Sequence, residues 1–299
     1  MTKVEGSLLV ITLWLVTILS VLAIAIGRYL SVEIRVTKYH LAHDQAKAMA
    51  RSGIYMAAEQ LRQDATQEET KRADWLGESW ATPSSVALEG RSSEGRITIE
   101  IVDAERKLNL NALDAAQLQP LVGSADAAAA IVAYRTVREV PGEQPPFYAA
   151  KGAPISVMEE LLELPRMTPD IFEALQRAAF PFPPSVPVKV NINTADEDVL
   201  QAAGLDSAQI AQLRILRQGS HYLVQIGGMP QTELGDAQVP PFLTEPAFAA
   251  IADRFGVASS VFAVTSVGRV DAPRVSYHVE AVVQRAADAR MTIVSWKEW

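Results

Sequence analysis

The sequence contains no cysteine among its 299 residues. Without thiols the chain cannot form disulfides, use a thiolate nucleophile or hold zinc through sulfur. The absence therefore excludes three common kinds of site. It does not fix the compartment, because proteins of oxidising compartments also exist without disulfides.

Positive charge is also scarce, since 27 Lys and Arg face 35 Asp and Glu and the net charge is −8. An acidic balance argues against a protein whose main task is to hold nucleic-acid phosphates. Catalytic motifs are missing as well, because the sequence has no GxSxG, HExxH, Walker or GxGxxG pattern. We therefore predict a structural protein and not an enzyme.

No set of metal ligands stands out in the sequence. His40 and His43 share a predicted helix face, but a third ligand is missing, which favours an exposed face over a metal site. Carboxylates cluster at 159–163 and at 196–198. Such runs usually serve helix N-termini, where the helix dipole favours negative charge. The metal ligands, if the protein has any, are therefore unassigned.

The longest stretch without charge runs from Ser7 to Ile26 and has 20 residues. As a helix it measures about 30 Å, which is the thickness of the hydrocarbon core of a bilayer. It is long for the apolar part of a secretory signal peptide, and helix-like sequence follows it. We therefore predict a transmembrane helix over residues 7–26 behind a short leader, residues 1–6.

The same helix is predicted to continue to about residue 63 as an amphipathic half. Its apolar residues recur in steps of three and four, which is the spacing of one helix face. The members of this stripe are Val32, Val36, Tyr39, Ala42, Ala46, Met49, Gly53 and Met56. Charged residues lie between them, so we expect this half to rest on a soluble domain.

The middle of the chain contains an internal repeat. KLNLN at 107–111 returns 82 residues later as KVNIN at 189–193, and the ungapped alignment also pairs Arg135 with Arg217. Each copy is predicted to lead from a short extended piece into a pair of helices. We therefore expect residues 108–255 to form an inserted, all-α domain of two related helix-pair units.

Two helix starts in this region have recognisable signals. Thr194 and Glu197 have the spacing of a capping box, in which each side chain bonds the other's backbone. Thr168 followed by Pro169 is typical of an N-cap residue with proline at the first helical position.

Strands are predicted on both sides of the helical region. Residues 96–102 and 274–285 alternate apolar and polar side chains, and two further β-rich segments lie at 260–270 and 291–299. Sequential antiparallel strands with short turns form a meander. The fold class is therefore α+β: one antiparallel sheet from 86–107 and 256–299, with the first helix packed on it.

A short polar leader that ends in glycine, followed by a membrane helix with an amphipathic continuation, resembles type IV pilins and pseudopilins. The resemblance implies that a prepilin peptidase cuts between Gly6 and Ser7. Most relatives have Phe or Met in place of Ser7. Most also carry a glutamate five residues into the mature chain, where this sequence has Ile11.

The missing glutamate, together with N-L-N, N-I-N-T-A and S-V-M-E-E-L-L-E-L-P-R-M-T, is similar to minor pseudopilin K of the bacterial type II secretion system. That resemblance implies a single-pass protein of the inner membrane with its C-terminal part in the periplasm. It also implies a place at the tip of a pseudopilus. The implied partners are minor pseudopilins I and J, the major pseudopilin, prepilin peptidase and membrane lipid.

No cofactor is predicted from the residues, and the resemblance leaves calcium open. Some K subunits are thought to bind calcium in the helical domain, but no loop here has the D-x-D-x-D-G spacing of a calcium loop. Calcium is therefore not assigned to any residue.

Two other classes of protein stay open at this point. The N-h-N-T-A pattern before paired helices also occurs in membrane-anchored helix-hairpin-helix DNA receptors, which hold phosphate at a glycine-containing turn. The turns considered equivalent are 164–168 and 204–207, and neither has the second glycine. Nucleic acid is therefore not expected as a partner. A membrane-anchored hydrolase is the other alternative, without a motif in its favour.

Overall fold

The computed structural model describes residues 3–66, 73–89, 94–136, 150–184, 188–217, 222–223 and 254–299. Its first element, helix α1, spans Lys3–Thr66 and ends three residues beyond the predicted limit. No proline interrupts the helix, so nothing in its interior removes a backbone donor. The predicted continuous helix is therefore confirmed.

Five strands form one antiparallel sheet: β1 (Ser84–Glu89), β2 (Glu94–Asp103), β7 (Val261–Asp271), β8 (Arg274–Arg285) and β9 (Met291–Glu298). Their order in the sheet is β1-β2-β7-β8-β9. The last three are sequential neighbours, as the predicted meander requires.

Strand β1 begins two residues before the predicted sheet segment, which was placed from residue 86. It pairs with β2 alone. Ser84 and Ser85 give no apolar alternation, which explains why the sequence pattern does not include them.

Helix α1 packs on the sheet through very small side chains. Ala46 and Ala50 are fully buried against it. A Cβ atom on Gly268 of β7 would lie 2.1 Å from the carbonyl oxygen of Ala46 and 2.6 Å from the amide nitrogen of Ala50. Helix and strand backbones are therefore in direct contact, and glycine is required at 268 because any side chain would separate them.

The remaining helices lie between β2 and β7 along the chain and have a hydrophobic core of their own. The elements are β3 (Leu108–Asn109), α2 (Ala115–Val122), α3 (Ala125–Thr136), α4 (Pro169–Ala178), β4 (Ala179–Phe180), β5 (Val190–Asn191), α5 (Glu197–Ala203), α6 (Ser207–Leu216) and β6 (Phe255–Gly256). Two short parallel ladders, β3 with β4 and β5 with β6, begin and close the two units.

The predicted cap at Thr168 is confirmed. Its Oγ1 accepts a hydrogen bond from the amide of Ile171 at 3.3 Å, and Pro169 opens α4. Proline fits there because the first helical amide has no partner within the helix.

Candidate functional site

Helix α1 is long and apolar enough to cross a membrane. From Leu9 to Ile26 every large apolar side chain is at least 50% exposed, and these side chains point in all directions around the helix. A helix that is apolar on every side is stable only when lipid or other helices surround it. This part of α1 is therefore built to be covered by something outside the chain.

The three positions predicted from the leader pattern all lie in this helix. Gly6 and Ser7 belong to its first turns, since the helix begins at Lys3. Ile11 is 60% exposed and offers no charge to a neighbour. Their roles in processing and docking remain predictions.

A buried carboxylate joins the sheet to the second helix-pair unit. Asp103, at the end of β2, accepts at Oδ2 from Thr194 Oγ1 at 2.5 Å, Ser259 Oγ at 2.7 Å and Asn191 Nδ2 at 3.0 Å. Its Oδ1 accepts from the amide of Glu105 at 2.8 Å. Burial raises the pKa of Asp103 to about 6, and the donors from Thr194 and Ser259 oppose that rise.

The predicted capping box of Thr194 and Glu197 is wrong. Thr194 is buried and its hydroxyl donates to Asp103, while Glu197 binds Arg214 at 2.6 Å on the surface. Helix α5 has Asp196 at its N-cap without a side-chain cap bond. The local spacing fits a box, but a buried carboxylate from the sheet takes the hydroxyl.

Arg285 makes a second group of contacts at the place where the sheet meets the second helix-pair unit. Its guanidinium lies 2.5 Å from Asp74 and 3.3 Å from Asp64, and it also donates to the carbonyl of Ser259 at 2.6 Å. The same group lies 5.0 Å from the ring centre of Phe262. One cation thus connects the end of α1, the segment that follows it, and the ends of β7 and β8.

Asp64, Asp74 and Glu78 bring carboxylate oxygens within 4.8 Å of one another, close enough to share a metal ion. Burial raises the pKa of Glu78 to about 7, and the charges of Asp64 and Asp74 add to the rise. Arg285 already supplies positive charge between the two aspartates. We therefore interpret this cluster as an ion-pair joint and assign no metal to it.

Glu105 is the last of these acids. We call the acids Asp64, Asp74, Glu78, Asp103 and Glu105, together with Arg285, the acidic joint. Its Oε1 accepts from the amide and the hydroxyl of Ser260, both at 2.6 Å, and from the amide of Val261 at 3.1 Å. Burial raises the pKa of Glu105 to about 7 in spite of these donors. The carboxylate holds the chain in place where it re-enters the sheet at β7.

The repeated asparagines perform the same task in both units. Asn111 donates to the carbonyl of Ile155 at 2.9 Å and accepts from its amide at 2.8 Å. Asn193 makes the equivalent pair with Leu223, with both distances 2.8 Å. Each side chain therefore pairs with the backbone of a distant segment as a strand would, which supports a structural role over a catalytic one.

The repeated arginines are equivalent as well. Arg135 and Arg217 each reach back from the second helix of a unit to two main-chain carbonyls at its start. Burial lowers the pKa of Arg217 to about 10. The acceptors are Leu110 and Leu113 for Arg135, and Ile192 and Ala195 for Arg217.

The turn that would hold a phosphate is already capped. Asp206 precedes α6, and its carboxylate accepts from the amide of Gln209 at 2.8 Å. The first unit makes its equivalent turn at Gly123, not at 164–168, which lies between a 3₁₀ turn and α4. A carboxylate in this position repels phosphate, so the geometry does not favour DNA binding.

Two of the histidines, His43 and His278, contact aromatic rings. His43 lies edge-on to Tyr277 with ring centres 5.3 Å apart, and His278 stacks on Trp299 at 5.9 Å. His40 is exposed on α1, and His221 lies outside the described residues. Across the residues that the structure describes, the only cluster of metal-ligating side chains is the one beside Arg285.

No protein-family model matches the sequence, and no curated protein does. Among solved structures the chain is similar to a chain of the GspK-GspI-GspJ complex from the type 2 secretion system of enterotoxigenic Escherichia coli. The TM-score is 0.64 at 18% identity, over 88% of this chain and 99% of that one. This chain has a pilin-like fold. The predicted α+β class, a long helix on an antiparallel sheet, is confirmed.

Sequence reasoning did not find the acidic joint. Asp74, Asp103 and Arg285 are far apart in the chain, and none belongs to a motif. The only available signal was weak: Asp103 and Arg285 each stand at the end of an alternating strand, where a charged residue is ordinary.

Proposed function

We propose that this chain is a minor pseudopilin of the K type, a structural and non-enzymatic subunit of a type II secretion system. Its first helix holds it in the bacterial inner membrane, and the sheet and the helical domain lie in the periplasm. It sits at the tip of the pseudopilus with minor pseudopilins I and J. There it initiates assembly and supports export of folded proteins across the outer membrane.

The observation that carries the proposal is the shared fold, which includes nearly the whole length of the matched chain. A long helix on a sheet would fit any pilin-like protein. The helices between β2 and β7 are the more specific feature, and we assign residues 108–255 to them as an inserted domain. An exposed apolar helix without internal partners also fits a subunit that packs among other helices.

Ile11 supports the position at the tip. A carboxylate in lipid is costly unless it meets a positive group, so the family glutamate is useful to a subunit that must dock on a neighbour's N-terminal amine. A subunit with isoleucine there cannot make that contact. It is suited to come first in the assembly, with the major pseudopilin added below it.

The proposal is tested by the intact mass of the full chain extracted from membranes, made with and without its prepilin peptidase. We expect loss of residues 1–6 only when the peptidase is present, which leaves Ser7 at the N-terminus. An unprocessed chain in both samples would reduce α1 to a plain anchor and overturn the proposal.

A matched control separates this peptidase from other proteases. Gly6→Val changes only the residue before the cut and adds a bulky side chain there. The variant should keep its full mass in both samples, whereas cleavage of the variant would point to unrelated proteolysis.

A further inference from the structure

The part of α1 that follows the apolar span carries more positive than negative charge. Between Gly27 and Leu41 it has one acid, Glu33, and three cations. The cations are Arg28, Arg35 and Lys38. All four side chains are exposed, and none makes an ion pair within the described residues. The net charge of the whole chain is −8, so this short stretch has the opposite sign.

The three cations share the side of α1 that faces the sheet. Ala42 and Ala46 mark this side, because both are buried in the core between helix and sheet. At 3.6 residues per turn, Arg28 lies about five turns before Ala46, and Arg35 lies about three turns before it. Lys38 lies about one turn before Ala42. The cations therefore face the space between the sheet and the apolar span.

The acids of the same region lie on the other side of the helix. Glu33 lies about three and a half turns before Ala46, and Asp44 follows Glu33 by about three turns. Both are exposed. Tyr39 lies about two turns before Ala46, on the cation side, and is 58% exposed. One face thus combines cations with an aromatic residue, which is typical of a helix surface that lies at membrane headgroups.

The distance of these cations from the span also favours lipid. At 1.5 Å per residue, Arg28 lies about 3 Å beyond Ile26 and Lys38 about 18 Å beyond it. The headgroup layer on each side of a bilayer is about 5–8 Å thick, so an upright helix brings only Arg28 into it. Transmembrane helices tilt by up to about 40°, and a tilt toward the sheet would lower Arg35 and Lys38 to the same layer.

The side of the membrane gives a further argument. Lys and Arg close to a span usually stay on the cytoplasmic side. Under the proposed function the three cations lie in the periplasm instead, and such an exception is expected where the charge has a task of its own. The bilayer around the span supplies the opposite charge, because anionic headgroups attract Lys and Arg within about one Debye length.

We infer that Arg28, Arg35 and Lys38 bind the phosphate groups of anionic lipids and tilt α1 toward its sheet while the subunit stands alone in the membrane. The inference rests on the proposed function for the bilayer around the span and for the periplasmic side. The bound headgroups would bring the sheet down toward the membrane surface. Entry into a pseudopilus would then require the subunit to leave these lipids.

The test compares the depth of two positions on opposite sides of α1. Val32 is 59% exposed and lies about four turns before Ala46, on the cation side. Leu30 is 50% exposed and lies on the side away from the sheet. Because the chain has no cysteine, Leu30→Cys and Val32→Cys each accept a single fluorescent label. The labelled full chain is placed in vesicles that contain a phosphatidylcholine with a nitroxide quencher near the top of its acyl chain.

An upright helix places position 30 nearer to the quencher than position 32, because it is closer to the span. A tilt toward the sheet reverses this order. In vesicles of equal parts phosphatidylglycerol and phosphatidylcholine, we expect the label at 32 to be quenched about 2-fold more than the label at 30. In phosphatidylcholine alone, and at about 1 M salt, where the Debye length is about 3 Å, the label at 30 should be quenched more.

Two triple variants show whether the cations cause the tilt. The first combines Arg28→Gln, Arg35→Gln and Lys38→Gln, and it should restore the order of the upright helix in anionic vesicles. The matched control changes three exposed arginines elsewhere and so alters the net charge by the same amount. It combines Arg62→Gln, Arg166→Gln and Arg214→Gln. The control should keep the reversed order.

The outcomes distinguish the lipid contact from the function. The same order in anionic and neutral vesicles would overturn the lipid contact, and so would a reversed order that survives in the first variant or disappears in the control. The measurement needs neither prepilin peptidase nor other pseudopilins, so its failure leaves the proposed function standing. An unprocessed chain in the mass measurement would overturn the proposed function, whatever the vesicles show.

Discussion

The two helix-pair units share an internal skeleton and differ in what they attach to. In both units an asparagine pairs with a distant main chain, and an arginine holds two carbonyls at the start of the unit. The second unit goes further, because Asn191 donates to Asp103, Ser259 and the carbonyl of Asp74. Its counterpart Asn109 accepts a local bond from Asn111 and, in the described chain, makes no side-chain bond to the sheet.

A single pair of aligned residues shows how the difference arose. Thr194 sends its hydroxyl to Asp103, whereas the aligned residue in the first unit is Ala112, which has no polar group to offer. The repeat therefore specifies the interior of each unit. Buried polar attachment to the sheet depends on side chains that only the second unit has, whereas the ion pair from the first unit to the sheet, Glu159 with Lys297 of β9, lies on the surface.

The largest expected effect comes from removing Arg285, the cation of the acidic joint. Arg285→Met leaves Asp74 buried without its partner, and breaking a buried pair from one side costs roughly 3–5 kcal/mol. We expect the free energy of unfolding of the full chain in detergent to fall by about that amount, measured by urea titration.

A double variant gives the control for that change. Asp74→Asn in addition to Arg285→Met removes the uncompensated charge and should recover part of the loss. If the double variant is as unstable as the single one, the effect comes from lost packing against Phe262 and not from the ion pair.

The next largest effect is expected from substituting the equivalent asparagine in each unit. Asn191→Ala leaves several buried groups unsatisfied and should cost about 2–3 kcal/mol, while Asn109→Ala should cost about 1 kcal/mol. The measurement is urea unfolding of both variants under the same conditions. Equal losses would mean that attachment to the sheet adds nothing to the value of the repeated asparagine.

The last expected effect is that the acidic joint makes the free energy of unfolding depend on pH. The pKa values of Glu105 and Glu78 are raised to about 7 and that of Asp103 to about 6, so the folded state favours their neutral forms. The stability from these groups is fully present below their ordinary pKa values of about 4 and is lost progressively as the pH rises to the folded values of about 6 to 7. We expect the free energy of unfolding, measured by urea titration, to fall steadily between about pH 4 and about pH 7.

Glu105→Gln should flatten this profile, because glutamine can still accept from Ser260 and Val261 but does not ionise. Glu173→Gln, on the exposed side of α4, serves as the matched control and should leave the profile unchanged. A profile that is equally steep in the Glu105 variant would contradict the assignment.

Much of the fold was predictable because its patterns are local. Period 3.6 predicted α1, alternation predicted β8 with its observed bounds, and the repeat of asparagines and arginines predicted the paired units. The start of the edge strand β1 was placed two residues too late, because Ser84 and Ser85 give no alternation. The cap at Thr194 was wrong because its true partner, Asp103, lies 91 residues away.

The candidate site residues also fall into two groups, those with a local sequence signal and those without one. Gly6, Ser7 and Ile11 were found by position within one continuous segment, and their roles stay predictions. The acidic joint was not found, because Asp64, Asp74 and Arg285 approach one another only after α1 and the sheet have packed. Residues that come together through tertiary structure alone give little signal in a single sequence.

The long helix also fixes a direction in space. Between Ala42 and Leu61 its apolar side chains are buried against the sheet, with backbone contact at Ala46 and Ala50. From Leu9 to Leu41 the large apolar side chains are exposed in the described chain. Each residue of an α-helix turns the chain by about 100° and lifts it by about 1.5 Å. One residue added between Gly27 and Leu41 would therefore rotate the membrane part by about 100° against the sheet. The number of residues between the two parts of the helix therefore sets how the sheet is rotated about the helix axis relative to the apolar part.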